Sequence, residues 1–377
     1  MSINFDKAAT TRLKEEVLNE MLPYLNEFYA NASSIYSPAQ KSKEKIESSR
    51  MKISSALGCK PSEIYFTSGG TESDNWAIKG IADSLREKGN HIITSKIEHH
   101  AILNSAYFLE ERGYRVTYLN VDIDGFISLK ELEDSICDET ILISTMLANN
   151  EIGTIEPIEE IGKIAKEKNV IYHVDAVQAL GNLPIDLKNL DVDLMSFSGH
   201  KINGPAGVGV LYIKDKTKIT PLLHGGAQEK SKRAGTENVA GIIGMGKAVE
   251  LAVENINGKI DYISKMRNKL IENLLSIDGV TLNGSLENRL PGNVNVSIEG
   301  VDSQEMLIFL DRKDICASSG SACNTGSIKP SHVLKALGLS DELAKDCLRL
   351  TLDSENTLEE VEEVSKEIKK IIKILRK

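Results

Sequence analysis

The chain has 377 residues, of which 41% are hydrophobic and 27% are charged, proportions typical of globular proteins with a large core. This length favours two domains over one. Lysine and arginine number 45 against 55 aspartate and glutamate residues, for a net charge of −10, which argues against nucleic-acid binding driven by bulk charge.

No apolar run reaches the ~18–20 residues that span a bilayer, and the opening residues do not resemble a secretory signal. The five cysteines include no C-x-x-C pair, so neither a disulfide framework nor a cysteine-only zinc site is indicated. We therefore expect a cytoplasmic protein, with no membrane or nucleic acid among its partners.

Short apolar strands alternate with amphipathic helices through the first two thirds of the chain. The pattern predicts strands at 64–66, 91–94, 116–119, 141–146 and 208–213, and helices at 72–88, 100–112, 129–136 and 158–168. This alternation is typical of a parallel sheet covered by helices on both faces. Long helices follow at 238–255 and 259–276, then strands at 294–298 and 348–352 and helices at 303–312 and 357–375. We predict an α/β fold with a large, mainly parallel domain over 15–255 and a smaller α+β domain formed by 1–14 and 256–377.

Two strand ends carry side chains suited to pyridoxal phosphate. Lys201 follows a predicted strand and could form a Schiff base, although a surface lysine would have the same local sequence. Asp175 ends another apolar strand, at the sheet edge where ligands bind in α/β proteins, and a carboxylate is the partner that the pyridine nitrogen of this cofactor requires. Gln178 could then donate to the 3-oxygen of the ring. A helix N-cap is the alternative interpretation of Asp175.

A third strand end indicates a phosphate site. Residues 66–72 read as a strand, a turn containing Gly69 and Gly70, and a helix, which is a common backbone cradle for phosphate. Beyond the next strand, the His99 ring could stack on a cofactor. His99 and His100 together could suggest a metal, but no third ligand has a useful spacing, so we predict no metal site.

Seven motifs, taken in order, resemble the cysteine desulfurases of aminotransferase class V, the NifS/IscS group. They are Ser68-Gly-Gly-Thr-Glu-Ser-Asp-Asn75, Glu98-His99, Ala148-Asn-Asn150-Glu-Ile-Gly-Thr154, His173-Val-Asp175-Ala-Val-Gln178, Ser198-Gly-His-Lys201, Arg233-Ala-Gly-Thr236-Glu-Asn238 and Ser318-Ser-Gly-Ser-Ala-Cys323. The resemblance spans nearly the whole chain. It implies a pyridoxal phosphate enzyme of fold type I that works as a homodimer. Such an enzyme converts L-cysteine to L-alanine and leaves the sulfur as a persulfide on its own cysteine.

The resemblance also implies a role for each matching residue. Lys201 would bind the cofactor covalently and act as the base, and Cys323 would carry the persulfide. Asp175 would contact the ring nitrogen, Gln178 the 3-oxygen, and His99 would stack on the ring. The phosphate would be held by Gly70, Thr71, Ser198 and His200, and by Thr236 of the neighbouring subunit. Asn150 would lie beside the cofactor and, with Arg349, would take the substrate carboxylate, a task suited to the planar guanidinium group.

Several positions depart from the family pattern. They are Lys7, Ala32, Tyr36 and residues 353–355, which stand where the family usually has a small amide residue, a proline, a histidine and a second arginine. Substrate preference therefore stays open, and selenocysteine lyase or another class-V activity is the alternative within enzymes. A non-catalytic scaffold for iron–sulfur assembly is the alternative from another class. The sulfur acceptor, either an iron–sulfur scaffold or a thiolation protein, is not identified by the sequence.

Overall fold

The computed structural model describes residues 2–319 and 330–376. Its strands are β1 (Ile3–Asn4), β2 (Ile64–Thr67), β3 (His91–Ser95), β4 (Arg115–Leu119), β5 (Thr140–Met146), β6 (Ile171–Asp175), β7 (Leu194–Ser198), β8 (Gly209–Ile213), β9 (Val280–Leu282), β10 (Asn293–Ile298), β11 (Ile315–Cys316) and β12 (Cys347–Thr351). Its α-helices are α1 (Glu15–Met21), α2 (Pro23–Asn26), α3 (Ser37–Leu57), α4 (Gly70–Ser84), α5 (His100–Glu110), α6 (Leu129–Ser135), α7 (Ile158–Glu167), α8 (Gln228–Ser231), α9 (Val239–Val253), α10 (Ile256–Leu275), α11 (Ser303–Asp311), α12 (His332–Ala336), α13 (Asp341–Lys345) and α14 (Leu358–Leu375). Short 3₁₀ turns lie at Pro61–Glu63 and Gly199–Lys201.

A seven-stranded sheet forms the centre of the region between β2 and β8. Its strand order is β2-β8-β7-β6-β5-β3-β4. Strands β7, β6, β5, β3 and β4 pair in parallel, whereas β8 is antiparallel to both of its neighbours. The prediction of a mainly parallel α/β fold is confirmed. Because Met146 pairs with Asp175 and Asp175 with Ser196, the carboxyl ends of β5, β6 and β7 lie side by side.

Both faces of this sheet are covered, as the sequence pattern predicts. Successive side chains of a strand point to opposite faces, and the adjacent residues Ile92 and Ile93 of β3 indeed join different hydrophobic clusters. The cluster of Ile92 contains Trp76 of α4, and that of Ile93 contains Ile53 of α3 and Ile242 of α9. Burial on both faces explains why the strands are apolar throughout rather than alternating.

The C-terminal part contains a second, antiparallel sheet in the order β12-β10-β9. Helices α10 and α14 pack against each other beside it, and the hydroxyl of Thr357 caps α14. The apolar side chains of this part form a cluster of their own, which also includes Phe5, and β1 pairs in parallel with β11. The division into 15–255 and 1–14 with 256–377 stays a prediction.

The first residues of the chain connect this second sheet to the large one. Asp6 bridges to Thr351 of β12, and the amide of Thr11 donates to the carbonyl of His200, just beyond β7. The segment between them therefore crosses the carboxyl end of the large sheet. None of the described helices is both long and apolar enough to cross a membrane.

Candidate active site

A cavity of about 340 Å³ opens at the carboxyl ends of β5, β6 and β7, next to the start of α4. Ten residues predicted from the sequence line it: Gly70, Thr71, His99, Asn150, Asp175, Gln178, Ser198, His200, Lys201 and Arg349. Thr236 does not. It is exposed and lines a separate cavity beside Ser68 and Arg233. Cys323 lies outside the described residues.

The start of α4 forms one wall of the cavity. Gly69 adopts a φ of +152° before the helix, a conformation that L side chains rarely adopt. At Gly70 an added Cβ would lie 2.6 Å from Cγ2 of Val177, so only glycine fits there without rearrangement. The first amides of a helix have no helical acceptor, and they lie at the positive end of its dipole. The amides of Gly70 and Thr71 can therefore hold an anion in this cavity.

His200 stands on the same wall without a positive charge. Burial, and to a smaller extent the charge of the neighbouring Lys201, lower its pKa to about 4. Its Nδ1 lies 3.2 Å from the hydroxyl of Thr10. A neutral His200 can hold a phosphate by donating a hydrogen bond, and Ser198 can do the same through its hydroxyl.

Lys201 and Asp175 face the interior of the cavity. Lys201 ends the 3₁₀ turn after β7, and its Nζ donates to the carbonyl oxygens of Ala8 at 2.5 Å and Ala9 at 2.9 Å. Burial raises the pKa of Asp175 to about 6, although the amide of Val177 and the charge of Lys201 oppose the shift. Asp175 is therefore mainly ionised at neutral pH and can stabilise a cationic ring nitrogen.

His99 and Gln178 complete the ring-binding part of the cavity. His99 is the N-cap of α5, and its Nδ1 accepts from the amide of Ala101 at 3.1 Å, which places the imidazole hydrogen on Nε2. Burial lowers the pKa of His99 to about 4, assisted by the charge of Lys201. The ring is therefore neutral, as stacking on another ring requires. Nε2 of Gln178 donates to the carbonyl of Ala8 at 3.0 Å.

Arg349 of β12 reaches the cavity from the second sheet and is 4% exposed. Its Nη2 lies 2.9 Å from Oδ1 of Asp6, and its Nη1 donates to the backbone carbonyl of Asn150 at 3.0 Å. Its Nε is buried and has no hydrogen-bond partner among the described residues. Since an unpartnered buried donor is costly, the geometry leaves a place for an anionic ligand at Nε. Asn150 contributes its main chain to this arrangement.

Two carboxyl groups of the site were not predicted from the sequence. Asp6 holds Arg349, and nothing local to Asp6 indicates a partner 343 positions away. Asp74 lines the cavity with its Oδ1 buried and without a hydrogen-bond partner in the part of the chain described. Burial, and then the charge of Asp175, raise the pKa of Asp74 well above its usual value. Its position four residues after Gly70, on the same helix face, was the available signal.

The sequence is similar to those of known proteins over almost its whole length. The profile of the family described as aminotransferase class V matches residues 3–364. The cysteine desulfurase IscS of Methanosarcina thermophila is 53% identical over 375 residues, covering 100% of this chain and 93% of its own length. The protein of that name from Clostridium botulinum (strain Hall) is 52% identical over 374 residues, covering 98% of this chain and 94% of its own.

The fold also resembles solved structures over almost the whole chain. A NifS-like protein superposes with a TM-score of 0.94 at 39% identity, covering 99% of this chain and 100% of its own. The apo cysteine desulfurase of Thermococcus onnurineus superposes with a TM-score of 0.89 at 27% identity, covering 99% and 95%. A family profile that matches almost the whole chain, with relatives above 50% identity, settles the family. The chain belongs to aminotransferase class V.

Proposed function

We propose that the protein is a cysteine desulfurase that converts L-cysteine to L-alanine and keeps the sulfur as a persulfide on Cys323. Relatives about half identical along their whole length carry this activity in their names. The observation that carries the proposal is the cavity itself. It combines Lys201, an ionised Asp175 and an arginine whose Nε has no hydrogen-bond partner in the described part of the chain.

Class-V aminotransferases depend on pyridoxal phosphate, and the residues of the cavity fit this cofactor. The amides of Gly70 and Thr71, with Ser198 and His200, would hold the phosphate. Asp175, Gln178 and His99 would contact the ring, and Lys201 would bind the cofactor covalently; these side chains line the same cavity. When bound, the cofactor supplies an electron-withdrawing ring that takes up the negative charge from the α-carbon of the substrate.

The residues of the chain would orient the substrate and move its protons. Arg349 would bind the carboxylate through Nε, with its other nitrogens held by Asp6 and Asn150. A guanidinium fixed from two sides selects one orientation of the amino acid. Nζ of Lys201 would take the α-proton, and the carbonyls of Ala8 and Ala9 would accept hydrogen bonds from the resulting ammonium.

Cys323 would remove the sulfur. Its thiolate attacks the sulfur of the bound cysteine, so that an S–S bond forms while the C–S bond breaks. The carbon takes up a proton and becomes the methyl group of alanine, so the step needs no external oxidant. The persulfide then passes to an acceptor protein, either an iron–sulfur scaffold or a thiolation protein. A cytoplasmic location is part of the proposal, because such a thiol must stay reduced.

A homodimer is also part of the proposal. Large apolar side chains near the start of the chain are strongly exposed in the single chain, among them Leu25 at 59%, Tyr29 at 83% and Ile35 at 95%. In the proposed dimer, the second copy would cover such side chains. Thr236 is also exposed, and it would reach the phosphate of the neighbouring subunit.

The proposed function is tested by replacing Cys323 with serine. We expect the wild type to release alanine from cysteine and, without reductant, to gain about 32 Da on the peptide that contains Cys323. The Cys323→Ser variant should bind the cofactor but release neither alanine nor sulfide, because a hydroxyl is a poor nucleophile toward sulfur. Cys316→Ser, at the exposed Cys316 of β11, is the control and should stay active.

Three results would contradict the proposal or favour an alternative. Full desulfuration by the serine variant would exclude the persulfide on Cys323. Faster turnover of selenocysteine than of cysteine would favour the lyase. A wild type that binds no pyridoxal phosphate would favour the non-catalytic scaffold.

A further inference from the structure

The segment Asp6–Ala9 contacts the two charged residues that the proposed reaction uses most directly. The carbonyls of Ala8 and Ala9 accept hydrogen bonds from Nζ of Lys201 at 2.5 and 2.9 Å. Oδ1 of Asp6 lies 2.9 Å from Nη2 of Arg349. A shift of this segment would therefore move the lysine and the arginine together.

An ion pair holds the segment through Lys7, which lines a neighbouring cavity rather than the active-site cavity. The side chain of Lys7 is 9% exposed, and its Nζ lies 2.9 Å from Oδ2 of Asp353 and 3.2 Å from Oε2 of Glu355. Burial alone would lower the pKa of Lys7, but the two carboxylates outweigh it and raise the value. Lys7 is therefore a fully charged ammonium group. It faces Asp353, which is 17% exposed, and Glu355, which is 45% exposed.

The backbone beside Lys7 is fixed to β12, the strand of Arg349. The amide of Ala8 donates to the hydroxyl of Thr351 at 2.9 Å, and the amide of Thr351 donates to the carbonyl of Phe5 at 2.6 Å. Asp353 lies two residues beyond the end of this strand. The ion pair thus closes a loop of contacts that runs from Lys7 through β12 to Arg349 and back through Asp6.

The ion pair joins distant parts of the chain, since Lys7 and Glu355 are 348 positions apart. A buried ammonium group without carboxylates would be strongly destabilising, and the partly buried Asp353 would lose its compensating charge without the cation. The ion pair therefore makes one structural unit of the two segments.

We propose that Lys7 is a positioning residue, which through its ion pair with Asp353 and Glu355 sets the segment Asp6–Ala9 and, with it, Arg349 and Lys201. This inference rests on the proposed function of those two residues. Loss of the ammonium group would leave Asp353 without its cation next to the segment. The segment would then shift away from it, and reactions of this kind are sensitive to displacements of about 1 Å.

The experiment compares Lys7→Met with Lys7→Arg in the holoenzyme. Lys7→Met should raise the KM for cysteine and lower kcat/KM by about tenfold, and pyridoxal phosphate should leave this variant faster during dialysis. Lys7→Arg keeps the charge and should stay within about twofold of the wild type in both measurements. Lys166→Met is the control, because Lys166 forms an exposed ion pair with Asp191 at 2.7 Å, away from the cavity.

A double variant separates positioning from stability. Lys7→Met with Asp353→Asn contains no unpaired buried charge, so it should recover part of the lost kcat/KM. If Lys7→Met does not fold, Asp353→Asn alone is compared with the wild type by its KM for cysteine, its kcat/KM and its rate of cofactor release. A variant with a lower melting temperature but with the KM and cofactor release of the wild type would overturn the inference. A wild type that does not desulfurate cysteine would instead overturn the proposed function. Even then, the rates of cofactor release of the wild type and of Lys7→Met can be compared, and this comparison still tests whether Lys7 positions the segment.

Discussion

At the scale of single residues, burial shifts the pKa values of several groups that line the cavity. Burial keeps His99 and His200 neutral, with pKa values of about 4, while Asp175 has a pKa of about 6 and is mainly ionised at neutral pH. Asp74 lines the same cavity, but its pKa is raised by burial and by Asp175. Carboxyl groups whose pKa values are raised by burial and by a neighbouring charge are typical of active sites.

The contacts of Arg349 lead to a prediction. Arg349→Lys should raise the KM for cysteine about ten- to a hundredfold, because a point charge replaces a fork and the bonds to Asp6 and Asn150 cannot all be kept. Charged hydrogen bonds of this kind contribute about 1.5–3 kcal/mol. The cofactor spectrum should not change. Steady-state kinetics on cysteine measure the effect.

A matched variant shows whether the loss is specific. Arg267→Lys changes a buried arginine whose Nη1 donates to the carbonyls of Arg289 and Leu290, outside the cavity. It should lower stability but leave KM near the wild-type value. An unchanged KM in Arg349→Lys would place the substrate carboxylate elsewhere.

At the scale of elements, the sequence predicted the segments with regular patterns and missed those fixed by distant contacts. Strands β5 and β6 were predicted because they are apolar and followed by polar residues. Helix α3 was not, because its buried face includes Ser42, Ser49 and Arg50, which obscure the hydrophobic period. The reversed direction of β8 was also missed, because strand direction depends on tertiary connections rather than on local composition.

The polar face of α3 has a role that local sequence does not show. Both Nη atoms of Arg50 contact the carboxylate of Glu229 at 2.8–2.9 Å, and Glu229 also accepts from the amide of Phe66. Glu229, Lys230 and Ser231 all have positive φ angles, of 45°, 59° and 63°, a strained conformation for residues other than glycine. The ion pair therefore anchors a strained turn, which lies between β8 and α9 in the chain, to α3 and β2.

This anchor gives a prediction about stability. Arg50→Met should lower the free energy of unfolding by about 3–5 kcal/mol, because Glu229 would stay buried without a cation. Adding Glu229→Gln should restore much of the loss, since no buried charge then remains. Urea denaturation measures both. Lys130→Met, which breaks an exposed ion pair with Asp134, should leave the free energy of unfolding almost unchanged. A similarly small loss in Arg50→Met would show that the turn is held by other contacts.

At the scale of the whole molecule, the single chain accounts for all but one of the predicted phosphate contacts. Gly70, Thr71, Ser198 and His200 line the cavity, whereas Thr236 is exposed and lines a separate one. Arg233 is fixed near the start of α4, because its Nε lies 2.8 Å from Oε1 of Glu72. Thr236 is three residues further on and does not line the cavity of its own chain, as expected if it serves a second copy.

Mixing two defective variants tests this arrangement. Lys201→Ala should be inactive, and Thr236→Ala should be impaired because it binds the phosphate weakly. Exchange of subunits gives a heterodimer of one Lys201→Ala chain and one Thr236→Ala chain. If Thr236 acts on the neighbouring subunit, one site of this heterodimer has both defects and the other site has neither. The mixture should then release alanine at limiting cofactor faster than Thr236→Ala alone.

If Thr236 instead acts within its own chain, each site of the heterodimer keeps one defect, and the mixture should be no faster than the average of the separate variants. Size-exclusion chromatography and native mass spectrometry of the mixture confirm that exchange has occurred, so that a missing gain counts against the shared site and not against mixing.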